Sequence, residues 1–258
     1  MKNIRLIIFD GGGTIWYSMP VLWEHYKSGF FFLGLISRID EFPYTLETAN
    51  ELSSLEGYNS RWNISKALVA MFLMNINPEQ VLNSSEPTKK IDSLIEKIRS
   101  NIRFKQKYEK LSSKLGFYLE ESLCNYNEKF YPPCKDVVET IKELKRRGYL
   151  LAMSSNRRLS SVENILDALN IKDYFDKIEA PLHDEPEAKS IESLLRSLSV
   201  PRTDAVFVGD SVLDIKAGKK DGLRTIAVLS GMGTLRTLQM LQPDFIIEDI
   251  SKIFGLLQ

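Results

Sequence analysis

Asp10 ends an apolar run and is followed by three glycines and a threonine, in IIFDGGGTIW over residues 7–16. Two other polar clusters close apolar runs in the same way: Ser155-Asn156 after LLAMS, and Asp210 with Asp214 in VGDSVLD. Two or three carboxylates converging with a backbone oxygen make an all-oxygen site, which suits Mg2+ rather than zinc. A carboxylate can also be a nucleophile toward phosphorus if a metal and hydrogen-bond donors offset the incoming charge. The glycines that follow Asp10 let backbone amides approach a phosphate closely, and Ser155 can donate to one of its oxygens. Gly11, Gly12, Ser155 and Asn156 are therefore the candidate phosphate-binding positions.

Residues far apart in sequence meet only if the fold brings their strand ends together. Residues 4–9, 149–154, 205–209 and 225–229 read as short, continuous apolar strands covered on both faces. Helical patterns lie between them; CKDVVETIKELKRRG places Val137, Ile141 and Leu144 on one face and stops at Gly148. Strands alternating with helices predict an α/β fold with a doubly wound parallel sheet, in which ligands sit at the carboxyl ends of the strands. Between Trp16 and about Phe130 no buried strand is expected. Helical periodicity dominates there, as in Ile91, Leu94, Ile95, Ile98 and Ile102, with the serines of NSSEPTKK as caps and Pro87 in a first turn.

The chain's 34 basic and 34 acidic residues cancel, so no global field draws it onto nucleic acid or an anionic membrane. Cys124 and Cys134 form neither a disulfide framework nor a CxxC motif, a usage that suits a reducing cytosol. No signal-peptide pattern precedes the first strand, and the apolar stretch GFFFLGLI is too short to span a bilayer. These features predict a cytoplasmic protein. His25 and His183 stand alone and read as ordinary histidines rather than general acids. Arg157 and Arg158 follow the serine and could hold an anionic substrate, but read more simply as surface charge at a helix start, and the basic run 103–114 as a solvated helix face.

FDGGGT resembles the first motif of the haloacid dehalogenase-like hydrolase superfamily, an apolar strand followed by Asp, any residue, Asp, Gly and Thr. AMSSN is similar to its second motif and GDSVLD to its last, and the tail PDFIIEDISKIFGLL also resembles the family. The resemblance covers residues 1–16 and 128–258 and implies a Rossmann-like core domain there, with a helical cap domain inserted over 17–127. It further implies a Mg2+-dependent phosphatase for a small phosphorylated metabolite, with no oligomeric state indicated. Asp10 would be nucleophile and metal ligand, the Gly12 carbonyl a second ligand, Asp210 a third, Asp214 a support, and Ser155 the holder of the phosphoryl group. Two departures stand out. Gly12 replaces the second Asp of the first motif, which in family phosphatases protonates the leaving group and later activates water. The family's Lys-Pro falls on Glu185-Pro186, with Lys189 one helical turn on. Lys189 is expected to turn toward Asp214 and the phosphate as the catalytic cation, and Glu185 to face solvent or pair with a base. Gly12 keeps two alternatives open: a catalytically impaired homologue that binds a phosphorylated ligand or partner, and a hydrolase of the phosphonatase or dehalogenase type. The metal-free dehalogenases lack the Gly-Asp-x-x-x-Asp pattern present here.

Overall fold

A computed structural model describes residues 1, 3–55, 57–58, 60–124, 126–127, 131–182 and 191–257. The chain divides into two units, one of Met1–Ser18 with Asn127–Gln258 and another of Met19–Tyr126.

The first unit is built on six parallel strands: β1 (Leu6–Phe9), β2 (Leu150–Ser154), β3 (Lys177–Glu179), β4 (Ala205–Gly209), β5 (Arg224–Val228) and β6 (Phe245–Ile247), in the order β3-β2-β1-β4-β5-β6. The chain builds outward from β1 to one side and then returns to build the other, so the strand order reverses beside β1, where such sheets open a crevice for ligands. Leu6, Ile7, Ile8 and Phe9 are all fully buried. Burial on both faces is why this strand reads as an unbroken apolar run. The edge strands β3 and β6 are absent from the sequence-based expectation. Each has only three residues, partly exposed, and so presents neither a buried run nor an alternation long enough to register.

The second unit is helical among its described residues: α1 (Met19–Phe32), α2 (Leu46–Ser54), α3 (Arg61–Leu73), α4 (Pro78–Leu82), α5 (Pro87–Ser100) and α6 (Ile102–Cys124). Ile91, Leu94, Ile95 and Ile98 form the buried face of α5. Ile102 does not extend it. Asn101 adopts an extended backbone (φ −101°, ψ 108°) that ends α5, and Ile102 opens α6 at 82% exposure. The predicted serine cap is also corrected: Glu86 occupies the N-cap of α5 without a side-chain cap bond, Pro87 starts the helix, and Ser84 Oγ donates to the Val81 carbonyl.

Helices α7 (Val137–Arg146), α8 (Leu159–Ala168), α9 (Ile191–Ser197), α10 (Val212–Lys220) and α11 (Leu235–Met240) complete the first unit. In α7 the residues Val137, Ile141 and Leu144 are buried, and Gly148 follows the helix at φ +88°, a left-handed conformation that favours glycine. Among the described residues no helix is long and apolar enough to cross a membrane.

Candidate active site

β1 and β4 pair in register from Leu6–Ala205 to Phe9–Val208, and the Asp10 amide continues the ladder by donating to the Val208 carbonyl at 2.8 Å. Asp10 and Asp210 therefore leave adjacent strands at their carboxyl ends, beside the point where strand order reverses. Asp214 joins them from the first turn of α10, and one carboxylate oxygen from each of the three lies within 4.8 Å of the others. Their exposures are 8% for Asp10, 1% for Asp210 and 2% for Asp214. At that 4.8 Å spacing two ionised carboxylates repel by roughly 3 kcal/mol at an effective dielectric of ~20. A divalent cation offsets that repulsion, and an all-carboxylate donor set suits a hard one.

The cap of α10 positions Asp214. Ser211 is its N-cap: Ser211 N and Oγ donate to Asp214 Oδ2 at 3.0 and 2.6 Å, and Ser211 Oγ accepts from the Asp214 amide at 3.3 Å. This is a reciprocal capping box with Asp in place of Glu. Asp214 is thus both a first-turn acid and a member of the carboxylate cluster. Ser211 is not among the residues singled out from the sequence, although the S-x-x-D spacing of SVLD is a readable signal for it.

Asp210 is held from the loop after β5. The Met232 amide donates to Asp210 Oδ2 at 2.7 Å, and the Gly233 amide to its carbonyl at 2.9 Å. Gly13 packs against the same carboxylate with φ +89°; a Cβ there would fall 2.3 Å from Asp210 Oδ2. Ser230 Oγ ties this loop to the glycine segment through the Gly13 carbonyl at 2.7 Å.

The segment after Asp10 folds back on itself, with the Ile15 amide donating to the Gly11 carbonyl at 2.8 Å and the Gly13 amide to the Trp16 carbonyl at 2.7 Å. The indole of Trp16, 1% exposed, lies over this turn. A Cβ on Gly11 would meet Trp16 Cη2 at 2.1 Å, so the ring fills the volume that a side chain at position 11 would take. At Gly12 a Cβ would come 3.0 Å from Ser18 Oγ and 3.6 Å from Trp16 Nε1. Its backbone stays outside the left-handed region. No sequence signal marks Trp16 or Ser18, because their importance lies in what they approach.

Ser155 follows β2, the other neighbour of β1, and is 6% exposed. Its amide donates to the Glu179 carbonyl at 3.0 Å, and its Oγ accepts from the Arg157 amide at 3.2 Å. It does not cap a helix: α8 begins at Leu159 with Arg158 in the N-cap position. Asn156 is exposed. Arg157 departs from its reading as plain surface charge. Its guanidinium packs on the Tyr131 ring at 4.8 Å from the centroid. Cys134, nearby in sequence, is a free buried thiol pushed up to about 12 by burial first and by the Asp210 charge second. His183, Glu185, Pro186 and Lys189 lie outside the described residues.

Residues 58–228 match the family model described as haloacid dehalogenase-like hydrolase. That span contains Ser155, Asn156, Asp210 and Asp214 but not Asp10. The phosphoglycolate phosphatase of Pasteurella multocida is 28% identical over 151 residues, 57% of this chain and 66% of that protein. The pyrophosphatase PpaX of Bacillus velezensis is 29% identical over 120 residues, 45% of this chain and 56% of that protein. The chain thus spans less than two thirds of the length of these curated relatives. Among solved structures, a predicted phosphoglycolate phosphatase from Haemophilus somnus shares the fold with a TM-score of 0.63 at 23% identity, with 99% of each chain covered. The haloacid dehalogenase-like protein SP0104 from Streptococcus pneumoniae does so with a TM-score of 0.57 at 18% identity and the same 99% coverage of each chain. With two thirds of its length matched by the family model and the sheet order and carboxylate cluster described above, the chain belongs to the haloacid dehalogenase-like hydrolases.

Proposed function

We propose that the chain is a Mg2+-dependent phosphatase for a small phosphorylated compound, working through an aspartyl-phosphate on Asp10. The convergence of Asp10, Asp210 and Asp214 within 4.8 Å carries this reading, and the names of the curated relatives, a phosphoglycolate phosphatase and a pyrophosphatase, support its substrate class. Asp10, Asp210, Asp214 and the Gly12 carbonyl would hold the ion, which when bound neutralises charge on the phosphoryl oxygens. An Asp10 oxygen attacks phosphorus, and the bond to the leaving oxygen breaks with its electron pair on that oxygen. Ser155 Oγ, already accepting from the Arg157 amide, donates its proton to a non-bridging oxygen. Water then attacks the phosphorus, releasing orthophosphate and regenerating the Asp10 carboxylate. Lys189 would supply the cation that balances the phosphoryl charge, and Lys189→Ala is expected to weaken phosphate binding.

Gly12 has no side chain to protonate the leaving oxygen or to take a proton from water. Unless a cap residue supplies the proton, the leaving group departs as an anion, and equal rates across leaving groups would show that one does. Aryl and acyl phosphates, whose leaving groups need little protonation, are expected to react faster than alkyl phosphates by ~10² to 10⁴, the usual contribution of a positioned general acid. Slow hydrolysis of the aspartyl-phosphate adds an initial burst of product. The test is hydrolysis of p-nitrophenyl phosphate with Mg2+, after metal removal, and in Asp10→Asn. Activity is expected only with metal and the parent Asp10; full activity in the metal-free protein overturns the reading. Gly12 favours one other reading, a homologue that binds a phosphorylated ligand without turnover. Phosphate binding with no hydrolysis of any leaving group would establish it.

A further inference from the structure

Arg157 is two residues beyond Ser155, and its side chain is fixed in place. The guanidinium lies over the Tyr131 ring at 4.8 Å, Nη2 donates to Tyr131 Oη at 3.3 Å, and Nη1 donates to Ser161 Oγ at 3.4 Å. The ring beneath it is buried, with Tyr131 5% exposed, and Arg157 itself is half-buried. Stacking on an aromatic face holds an arginine's planar fork in one orientation, so little freedom remains to be lost when it binds an anion.

The two hydrogen bonds go to neutral hydroxyls and are long. Among the described residues Arg157 is in no ion pair, whereas Arg146, Arg147, Arg196 and Arg202 each pair with a glutamate. A partly buried cation without a counter-charge is unfavourable unless something else supplies one. The remaining N–H groups suit an anion held in bidentate fashion.

Its placement says where that anion comes from. Tyr131 begins a segment hydrogen-bonded along the glycine turn: the Tyr17 amide donates to the Pro132 carbonyl at 2.8 Å, and the Cys134 amide to the Ile15 carbonyl at 2.9 Å. Ser155 follows the strand whose Met153 is in register with Phe9, the residue before Asp10. Arg157 therefore joins the segment that follows β2, the strand beside β1, to the segment hydrogen-bonded along the glycine turn after Asp10.

We propose that Arg157 anchors a second anionic group of the substrate, so that the enzyme selects phosphate compounds carrying a further carboxylate or phosphate close to the reacting phosphoryl group. This rests on the phosphatase reading above and adds to it the specificity-determining residue. Tyr131 and Ser161 act as positioning residues for the guanidinium.

Calorimetric binding of three ligands that cannot be hydrolysed, with Mg2+ present, tests the anchor without requiring turnover: methylphosphonate, phosphonoacetate and methylenediphosphonate. At least one of the two bi-anions is expected to bind roughly tenfold or more tighter than methylphosphonate, as a charge-assisted bidentate contact supports. A gain for phosphonoacetate identifies a carboxylate as the second group, and a gain for methylenediphosphonate a phosphate. Arg157→Gln is expected to abolish that gain while leaving methylphosphonate affinity unchanged. Arg157→Lys, which keeps charge but loses the fork, is expected to fall between. Equal affinities of the parent protein for all three ligands overturn the anchor alone, and this comparison decides even if the variants do not fold. Equal weakening of all three ligands by Arg157→Gln also overturns it, because Arg157 would then only shape the Ser155 loop. Failure to bind any of the three overturns both the anchor and the phosphatase reading beneath it.

Discussion

Gly12 joins an absent carboxylate to a space that is nearly ready for one. Its backbone conformation is open to any residue, and the nearest obstacle to a Cβ is Ser18 Oγ at 3.0 Å, a hydroxyl that one χ1 rotation can move. Gly12→Asp is therefore expected to fold and to raise alkyl-phosphate turnover by ~10² or more, with less effect on aryl phosphates. Adding Ser18→Ala relieves the close contact and should not reduce that gain; steady-state rates across leaving groups of graded basicity measure both. Gly11 behaves differently, because the atom a Cβ would strike, Trp16 Cη2 at 2.1 Å, belongs to a ring that is itself buried. Gly11→Ala is expected to destabilise the protein by about 1–3 kcal/mol, the usual range for overpacking. Combining it with Trp16→Val should cost less than the sum of the two single changes, a non-additivity that denaturant unfolding of all four proteins would read directly.

At the scale of elements, the first turn of α10 is the piece of secondary structure most closely tied to the site. Ser211 gives one hydroxyl to the Asp214 carboxylate and receives the Asp214 amide in return. Ser211→Ala is expected to lower stability by about 1 kcal/mol through the lost cap. It is also expected to weaken Mg2+ binding, since Asp214 Oδ2 loses its 2.6 Å donor. Unfolding in denaturant with and without Mg2+ separates the two effects: a purely structural cap would lower both curves equally.

At the scale of the whole molecule, the carboxylate cluster is a local concentration of negative charge in a chain whose formal charges sum to zero. The metal-free protein carries that repulsion among carboxylates that are largely buried, and ligand binding to the folded state recovers stability as RT ln(1 + [L]/Kd). Mg2+ is therefore expected to raise the melting temperature, and EDTA to lower it. Asp210→Asn removes one of the repelling charges and is expected to make the metal-free protein more stable while abolishing the response to Mg2+. A variant no more stable than the parent in EDTA, or one still stabilised by Mg2+, would contradict this account.

Several features were legible in the residues alone. The four central strands could be read because burial on both faces demands a continuous apolar run, as in Leu6–Phe9. The polar residues that close those runs marked Asp10, Ser155, Asp210 and Asp214 as the places where chemistry could occur, since a carboxylate at a strand's carboxyl end has a restricted set of uses. The edge strands Lys177–Glu179 and Phe245–Ile247 were not legible, because three half-exposed residues carry no period. Nor was the break at Asn101, where helical spacing of apolar residues runs on through Ile102 although the backbone turns. Composition and local period record what each residue prefers to have around it, and they determined the sheet's centre and the residue types at its strand ends. Only the tertiary structure decided which strand ends are neighbours, through the placement of β1 between β2 and β4, and which side chains fill the space left by glycines: Trp16 over Gly11, Ser18 beside Gly12, Asp210 against Gly13. Those are contacts between surfaces distant along the chain or folded back upon it, set by strand order and close packing, which no local pattern encodes.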